Sequence, residues 1–180
     1  MKPIRKMIQG ELGAYVQSHL RDKGIEVVLS GGAAVGIYSN YKYVSKDLDF
    51  INVFSKNRQI IRTAMAEIGF EEDGRYFKHT DTEFFIEFPP GPLTVGDEPV
   101  REVIEKRFST GRLRIISPTD CVKDRLAAYY HWGDRQCLAQ AQLVARGHTI
   151  DIGEIERWSI GEGKFDEFEH IKDQFISSSK

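Results

Sequence analysis

The stretch VLSGGAAVGIYSNYKYVSKDLDFINV, Val28 to Val53, constrains the fold of this chain more than any other. The short run IEVVLS ends in the pair Gly31-Gly32, and a second apolar run, DLDFINVF, carries Asp47 and Asp49 on either side of Leu48. Successive side chains of a strand point to opposite faces, so Asp47 and Asp49 share one face while Leu48 and Phe50 share the other. Aspartate is depleted in strands, and two carboxylates on one face repel each other and lose solvation together. Such a pair sits either on a solvated strand face or where a cation offsets the cost. The glycine pair marks at least a tight strand-to-helix turn, and it also lets backbone approach a ligand closely.

Hard oxygen ligands suit Mg²⁺. The helix expected next, AAVGIYS, would offer free N–H groups at its start to phosphate oxygens. Together these pieces describe a site for a nucleoside triphosphate and its metal.

The arrangement resembles the polymerase-beta-like nucleotidyltransferase superfamily. Its signature is a glycine pair (or Gly-Ser) at a strand-to-helix turn, an acid–apolar–acid strand, and a third acid on a later strand. Gly31 and Gly32 match the pair, and Asp47 and Asp49 match the first two acids. Ser45 and Lys46 look like the Ser-Lys or Thr-Lys that often precedes them. Glu87, in TEFFIEF, is the best match to the third acid, with Glu83 as the alternative. The resemblance spans Ile25 to Pro90 and is closest to small bacterial and archaeal members. These include abortive-infection-type toxin nucleotidyltransferases and aminoglycoside- or lincosamide-modifying enzymes.

The resemblance implies a Mg²⁺- (or Mn²⁺-) dependent transfer of an NMP from an NTP to a hydroxyl acceptor by a two-metal mechanism. The acceptor would be a protein side chain, a tRNA end or a small molecule. By the same resemblance Asp47, Asp49 and Glu87 are the catalytic and metal-binding residues. Ser30, Gly31, Gly32, Ser45 and Lys46 would bind phosphate oxygens. A basic residue early in the C-terminal helices, Lys123 beside Asp124 and Arg125, would reach the triphosphate; a solvated helix face is the plain alternative for these three. The competing expectation is a non-catalytic nucleotide-binding or toxin–antitoxin interaction module on the same fold, with a partner protein.

Composition excludes other classes. Of 180 residues 41% are hydrophobic and 29% charged, which fits a globular domain with or without a helical appendage. No apolar run approaches the roughly 20 residues of a membrane span. MKPIRKMIQGEL is charged and interrupted, unlike a secretory signal. Cys121 and Cys137 have no ligand-like spacing to each other or to His79, His131 and His148. A reducing cytoplasmic setting is therefore expected. A net charge of −2 argues against a general nucleic-acid coat. Residues 151–180 hold 8 acids and 4 bases, leaving the rest of the chain mildly basic, which suits triphosphate or tRNA without deciding between them.

The expected fold is α/β (α+β): a mixed nucleotidyltransferase-like sheet of about five strands with helices on one face, then a small C-terminal helical bundle. Residues 1–116 would form the catalytic domain and 117–180 the helical subdomain. Apolar spacing predicts a helix from Ile4 to Leu20 and another from Lys56 with Ser55 as its cap. FEEDGRYFKHT and TEFFIEF would pair antiparallel, the proline-rich PPGPLTVGDEP would be irregular, and LRIIS would be a fifth strand. Ser117, Pro118 and Asp120 signal a helix start, and Asp134 is expected to cap the next helix. Tyr41 and Tyr43 are candidates to line the acceptor or base pocket. His131 and Trp132 are expected to pack in the bundle, with stacking on a base as the alternative, and the final SSSK to fray.

Overall fold

The computed structural model describes residues 2–54 and 57–176. The expected cap Ser55, the helix start at Lys56 and the terminal SSSK lie outside the described residues.

The expected first helix splits in two. Ile4–Lys6 is a single 3-10 turn, and α1 (Gln9–Asp22) begins only after Ile8, which is extended. Glu11 in the first turn of α1 accepts the Ile8 N–H at 3.0 Å, one arm of a capping box, and so fixes the helix start there. β1 (Val27–Ser30) runs straight into α2 (Gly31–Tyr38), and β2 (Asp47–Asn52) follows a loop through Tyr41 and Tyr43. α3 (Arg58–Ala66) is capped by Asn57, whose side chain accepts the Gln59 N–H at 2.7 Å. It buries Ile61, Ala64 and Met65.

FEEDGRYFKHT is itself a hairpin. An Asp-Gly turn with Gly74 at φ +63° separates β3 (Glu71–Asp73) from β4 (Tyr76–Lys78). β4 then pairs antiparallel with β5 (Phe85–Glu87), as expected. The proline-rich segment corrects expectation in part: β6 (Thr94–Val95) and β7 (Glu98–Pro99) form a two-stranded ribbon across Gly96. Its Pro99 ends the second strand, where a missing N–H costs little. β8 (Val103–Phe108), which hairpins with β9 (Gly111–Ile116), has no expected counterpart. Among the described residues the main sheet therefore has seven strands, in the order β3-β4-β5-β2-β1-β9-β8. β1 lies antiparallel to β2 and parallel to β9, while β2 lies parallel to β5.

Ser117 accepts the Asp120 N–H at 3.1 Å and starts α4 (Pro118–Trp132) as its cap signal requires. Asp134 caps α5 (Arg135–Gly147) through the N–H groups of Gln136 and Cys137. α6 (Ile152–Gly161), α7 (Phe165–Ile171) and α8 (Asp173–Ile176) complete the helical part. The helices do not close over a separate core. One apolar cluster runs from Leu12 through Val28, Phe50 and Ile115 to Leu126, Trp158 and Phe175. Polar stitches join these helices to the sheet part: Trp158 Nε1 donates to the Val95 carbonyl at 3.2 Å, and His148 Nε2 lies 2.9 Å from the Tyr38 carbonyl. No helix among the described residues is long and apolar enough to cross a membrane.

Candidate active site

The sheet register builds the site. Ser30 lies opposite Asp49, Asp49 opposite Glu87, and Glu87 opposite Tyr76. Residues directly opposite in a sheet share a face, so these four form one row across β1, β2, β5 and β4. Asp47 and Phe85 are paired one step along the same face. The opposite face carries Leu48, Phe50, Phe77 and Ile86, all with no solvent exposure. The alternation seen in the sequence thus sorts three carboxylates onto one side and the core onto the other. Glu83 falls outside β5, exposed, with Lys46 Nζ at 3.7 Å, so of the two candidate third acids only Glu87 joins the row.

The glycine turn meets this row at Asp49. Gly31 has φ +67°, and a Cβ built on it would stand 2.1 Å from Asp49 Oδ2. Both the conformation and the space therefore require glycine. At Gly32 a Cβ would press on Ser45 at 3.0 Å, with the Tyr43 hydroxyl at 3.3 Å. Ser30 makes no capping bond to α2; its hydroxyl donates to the Asp49 carbonyl at 3.4 Å. Ser45 Oγ accepts the Asp47 N–H at 3.2 Å and so ties the loop to the acid strand. The start of α2, with its N–H groups and partial positive charge, faces the carboxylates.

Asp49 is the electrostatic centre. Burial first, then the charges of Glu87 and Asp47, push its carboxyl up to about 6, against the opposing pull of Arg125. Arg125 comes from α4 and is half-buried. It bonds Asp124 Oδ2 through Nε at 3.1 Å and Gln140 Oε1 at 3.4 Å. α4 thus brings the Arg125 and Asp124 charges to act on Asp49, and Gln140 of α5 steadies the guanidinium.

Two expected positions move. Lys123 does not reach the cleft: it is completely buried, with its ammonium 2.8 Å from Asp120 Oδ1 and 3.1 Å from Glu154 Oε1. Its neighbour Arg125 is the cation near Asp49. The helical spacing carried a signal for this, because Asp120 precedes Lys123 by one turn and offers it a partner. Trp132 is not in the core but 80% exposed, and His131 pairs with Glu162 at 3.1 Å. Lys46 is at the rim, 68% exposed. Tyr41 turns towards Gly10 of α1, whereas Tyr43 stays beside Gly32.

The donor set fits hard divalent cations. Three carboxylates share one face, and burial with the charges of Glu87 and Asp47 raises the Asp49 carboxyl, a cost that a cation at the row would offset. Among the described residues no three His, Cys, Asp or Glu side chains stand where they could hold one ion as they lie. Glu87 also faces a cation, with Oε1 3.6 Å from Arg75 Nε.

No protein-family model and no curated protein sequence matches the chain. Among solved structures it is similar to the solution structure of the antibiotic-resistance factor ANT(2'')-Ia. That match has TM-score 0.56 and 11% identity, covering 88% of this chain and 94% of the other. A crystal structure of ANT(2'')-Ia in complex with adenylyl-2''-tobramycin matches at TM-score 0.48 and 11% identity, over 73% and 84% of the two chains, too distant to add weight. The likeness is one of fold: a mixed sheet with a C-terminal helical part, shared with a structure that spans nearly the same length.

Proposed function

We propose that the chain is a metal-dependent nucleotidyltransferase that moves an NMP from an NTP to a hydroxyl of a small acceptor. Residues 1–116 would form the catalytic unit and 117–180 the helical subdomain over the cleft. One observation carries the reading: Asp47, Asp49 and Glu87 share a sheet face against the glycine turn that opens α2. A binding module has no need of three clustered acids, whereas nucleotidyl transfer needs a receptor for metal and triphosphate together. The fold likeness to a resistance factor and the small net charge both favour a small acceptor over a large RNA.

Bound Mg²⁺ or Mn²⁺, held by Asp47 and Asp49 with Glu87 on the acceptor side, would neutralise charge at the triphosphate and lower the pKa of the attacking hydroxyl. The remaining work falls to the chain. Backbone N–H groups at Gly31 and Gly32, with the Ser30 and Ser45 hydroxyls, hold the outer phosphates. Arg125 takes the place first given to Lys123 and faces the triphosphate from α4. Glu87 accepts the proton of the acceptor hydroxyl. The acceptor oxygen then attacks the α-phosphorus in line, the bond to the bridging oxygen breaks, and pyrophosphate leaves.

The test is incubation with each α-labelled NTP, Mg²⁺ and a panel of small hydroxyl compounds, for the wild type and Asp49→Asn. Label transferred by the wild type alone supports the reading. Mg²⁺-dependent NTP binding with no transfer to any acceptor would favour the non-catalytic nucleotide-binding module.

A further inference from the structure

Arg75 follows the Gly74 turn and precedes β4, so it stands at the tip of the β3–β4 hairpin. Its guanidinium lies over the Tyr76 ring, 4.7 Å from the centroid, and donates to the Tyr76 hydroxyl. Its Nε is 3.6 Å from Glu87 Oε1. Tyr76 is the register partner of Glu87, so the stacked guanidinium sits on the same face as the carboxylate row. The Arg75 side chain is 69% exposed and that of Glu87 only 18%. Asp47 also contributes to the field at Arg75. A solvent-facing cation is therefore held on an aromatic platform and inclined towards a cluster of three acids.

We propose that Arg75 is the resident counter-ion of this cluster, paired with Glu87 until a divalent cation displaces it. The inference rests on the metal-dependent reading above. A guanidinium at this distance and exposure makes a weak ion pair, which a doubly charged ion touching several carboxylates can outcompete. The stack on Tyr76 keeps Arg75 beside the site after Glu87 has left it. Glu87 thus stands between two charges, the Arg75 guanidinium at 3.6 Å and the Asp49 carboxyl whose pKa its own charge helps raise. Metal entry then includes a swing of Glu87 from one cation to another. Arg75 acts through Glu87 and is a positioning residue.

The experiment is titration of the purified full chain with Mn²⁺ alone, read by the electron paramagnetic resonance signal of the free ion. It is run on the wild type, Arg75→Met, Arg75→Lys, Lys78→Met and Asp49→Asn. Lys78 is the control: an exposed cation on the same hairpin whose ammonium is bound to Asp73, not Glu87. Arg75→Met should bind Mn²⁺ about threefold more tightly, in the range set by one exposed ion pair. Arg75→Lys and Lys78→Met should stay near wild type, and added salt should narrow the gap. Equal affinity in Arg75→Met and wild type overturns the counter-ion role, and so does an equal gain in Lys78→Met. If that happens while Asp49→Asn abolishes binding, the nucleotidyltransferase reading survives. No Mn²⁺ binding by any of these proteins sinks both.

Discussion

Two groups of charges flank α4, and they behave in opposite ways. On the sheet side Asp47, Asp49 and Glu87 are neighbours of like sign, and Asp49 is pushed up to about 6. Between α4 and α6, Asp120, Lys123, Glu154, Arg157, Arg101 and Glu98 alternate in sign. Lys123 joins Asp120 and Glu154, Glu154 joins Arg157 and Arg101, and Arg157 joins Glu98. There the Arg157 hydrogen bonds and then Lys123 hold the Glu154 carboxyl down to about 2. Asp120 Oδ2 also accepts the N–H groups of Arg101 and Glu102, both at 3.0 Å. The second group is electrically complete and fastens the ribbon and α6 to α4. The first is incomplete, and an incomplete charge set within a fold is what the proposed metal site rests on. Acidic side chains in the two groups differ in role only because of their neighbours.

The comparison breaks most sharply if the acids of the first group can be neutralised without loss. Asp47→Asn or Asp49→Asn should lower nucleotidyl transfer at least about a thousandfold, an effect of about 4 kcal/mol on the barrier, while circular dichroism remains that of the wild type. Full activity in either variant would remove the carboxylate row from the mechanism. In the second group the prediction inverts. Lys123→Met leaves Asp120 and Glu154 buried without their shared cation and should cost about 3–5 kcal/mol of stability in urea unfolding. Its remaining folded fraction should still bind NTP, because Lys123 does not reach the cleft.

The pH dependence separates the groups further. Asp49 has a folded pKa above its unfolded one, so its contribution favours the fold below pH 4 and is lost as pH rises through about 6. Without metal, Asp49→Asn should therefore be more stable than wild type at pH 7, by about 3 kcal/mol, and the two should converge near pH 4. Glu154 has the opposite sign: its contribution is present above pH 4.5 and is lost as pH falls towards 2. Glu154→Gln should accordingly flatten the acid limb of the stability curve. Thermal melts in EDTA across this range read both effects. The smallest expected change is Ser117→Ala, which removes the α4 cap and should cost about 1 kcal/mol.

What could be read from sequence was what is local. The glycine pair and the acid strand lie within one short stretch, Val28 to Val53, and strand alternation sorts Asp47 and Asp49 onto one face; Glu87 was reached through the resemblance, and the β2–β5 register puts it beside Asp49. The caps at Ser117 and Asp134 were equally legible, since each involves residues two or three positions apart. Lys123 was misplaced because one of its two partners, Glu154, arrives from α6, and charge type says nothing about burial. β8 was missed because VIEKRF carries Glu105, Lys106 and Arg107 in succession. An edge strand tolerates this, whereas a pattern search for apolar alternation does not. Arg75 was invisible for a related reason: the β3–β4 hairpin consists of two strands of three residues each, and only that hairpin brings Arg75 to Glu87.

The parallel pairing of β1 with β9, through Leu29 and Ile115, bears on how the chain is made. β1 is almost wholly apolar, and one of its two hydrogen-bonding edges has no partner until the chain has been extended through Ile116. During synthesis the emerging protein would carry an open, hydrophobic strand edge for that whole interval, a template for pairing with other chains. Ribosome-bound fragments ending before Gly111 should need chaperone protection, and those that include the β8–β9 hairpin should need far less.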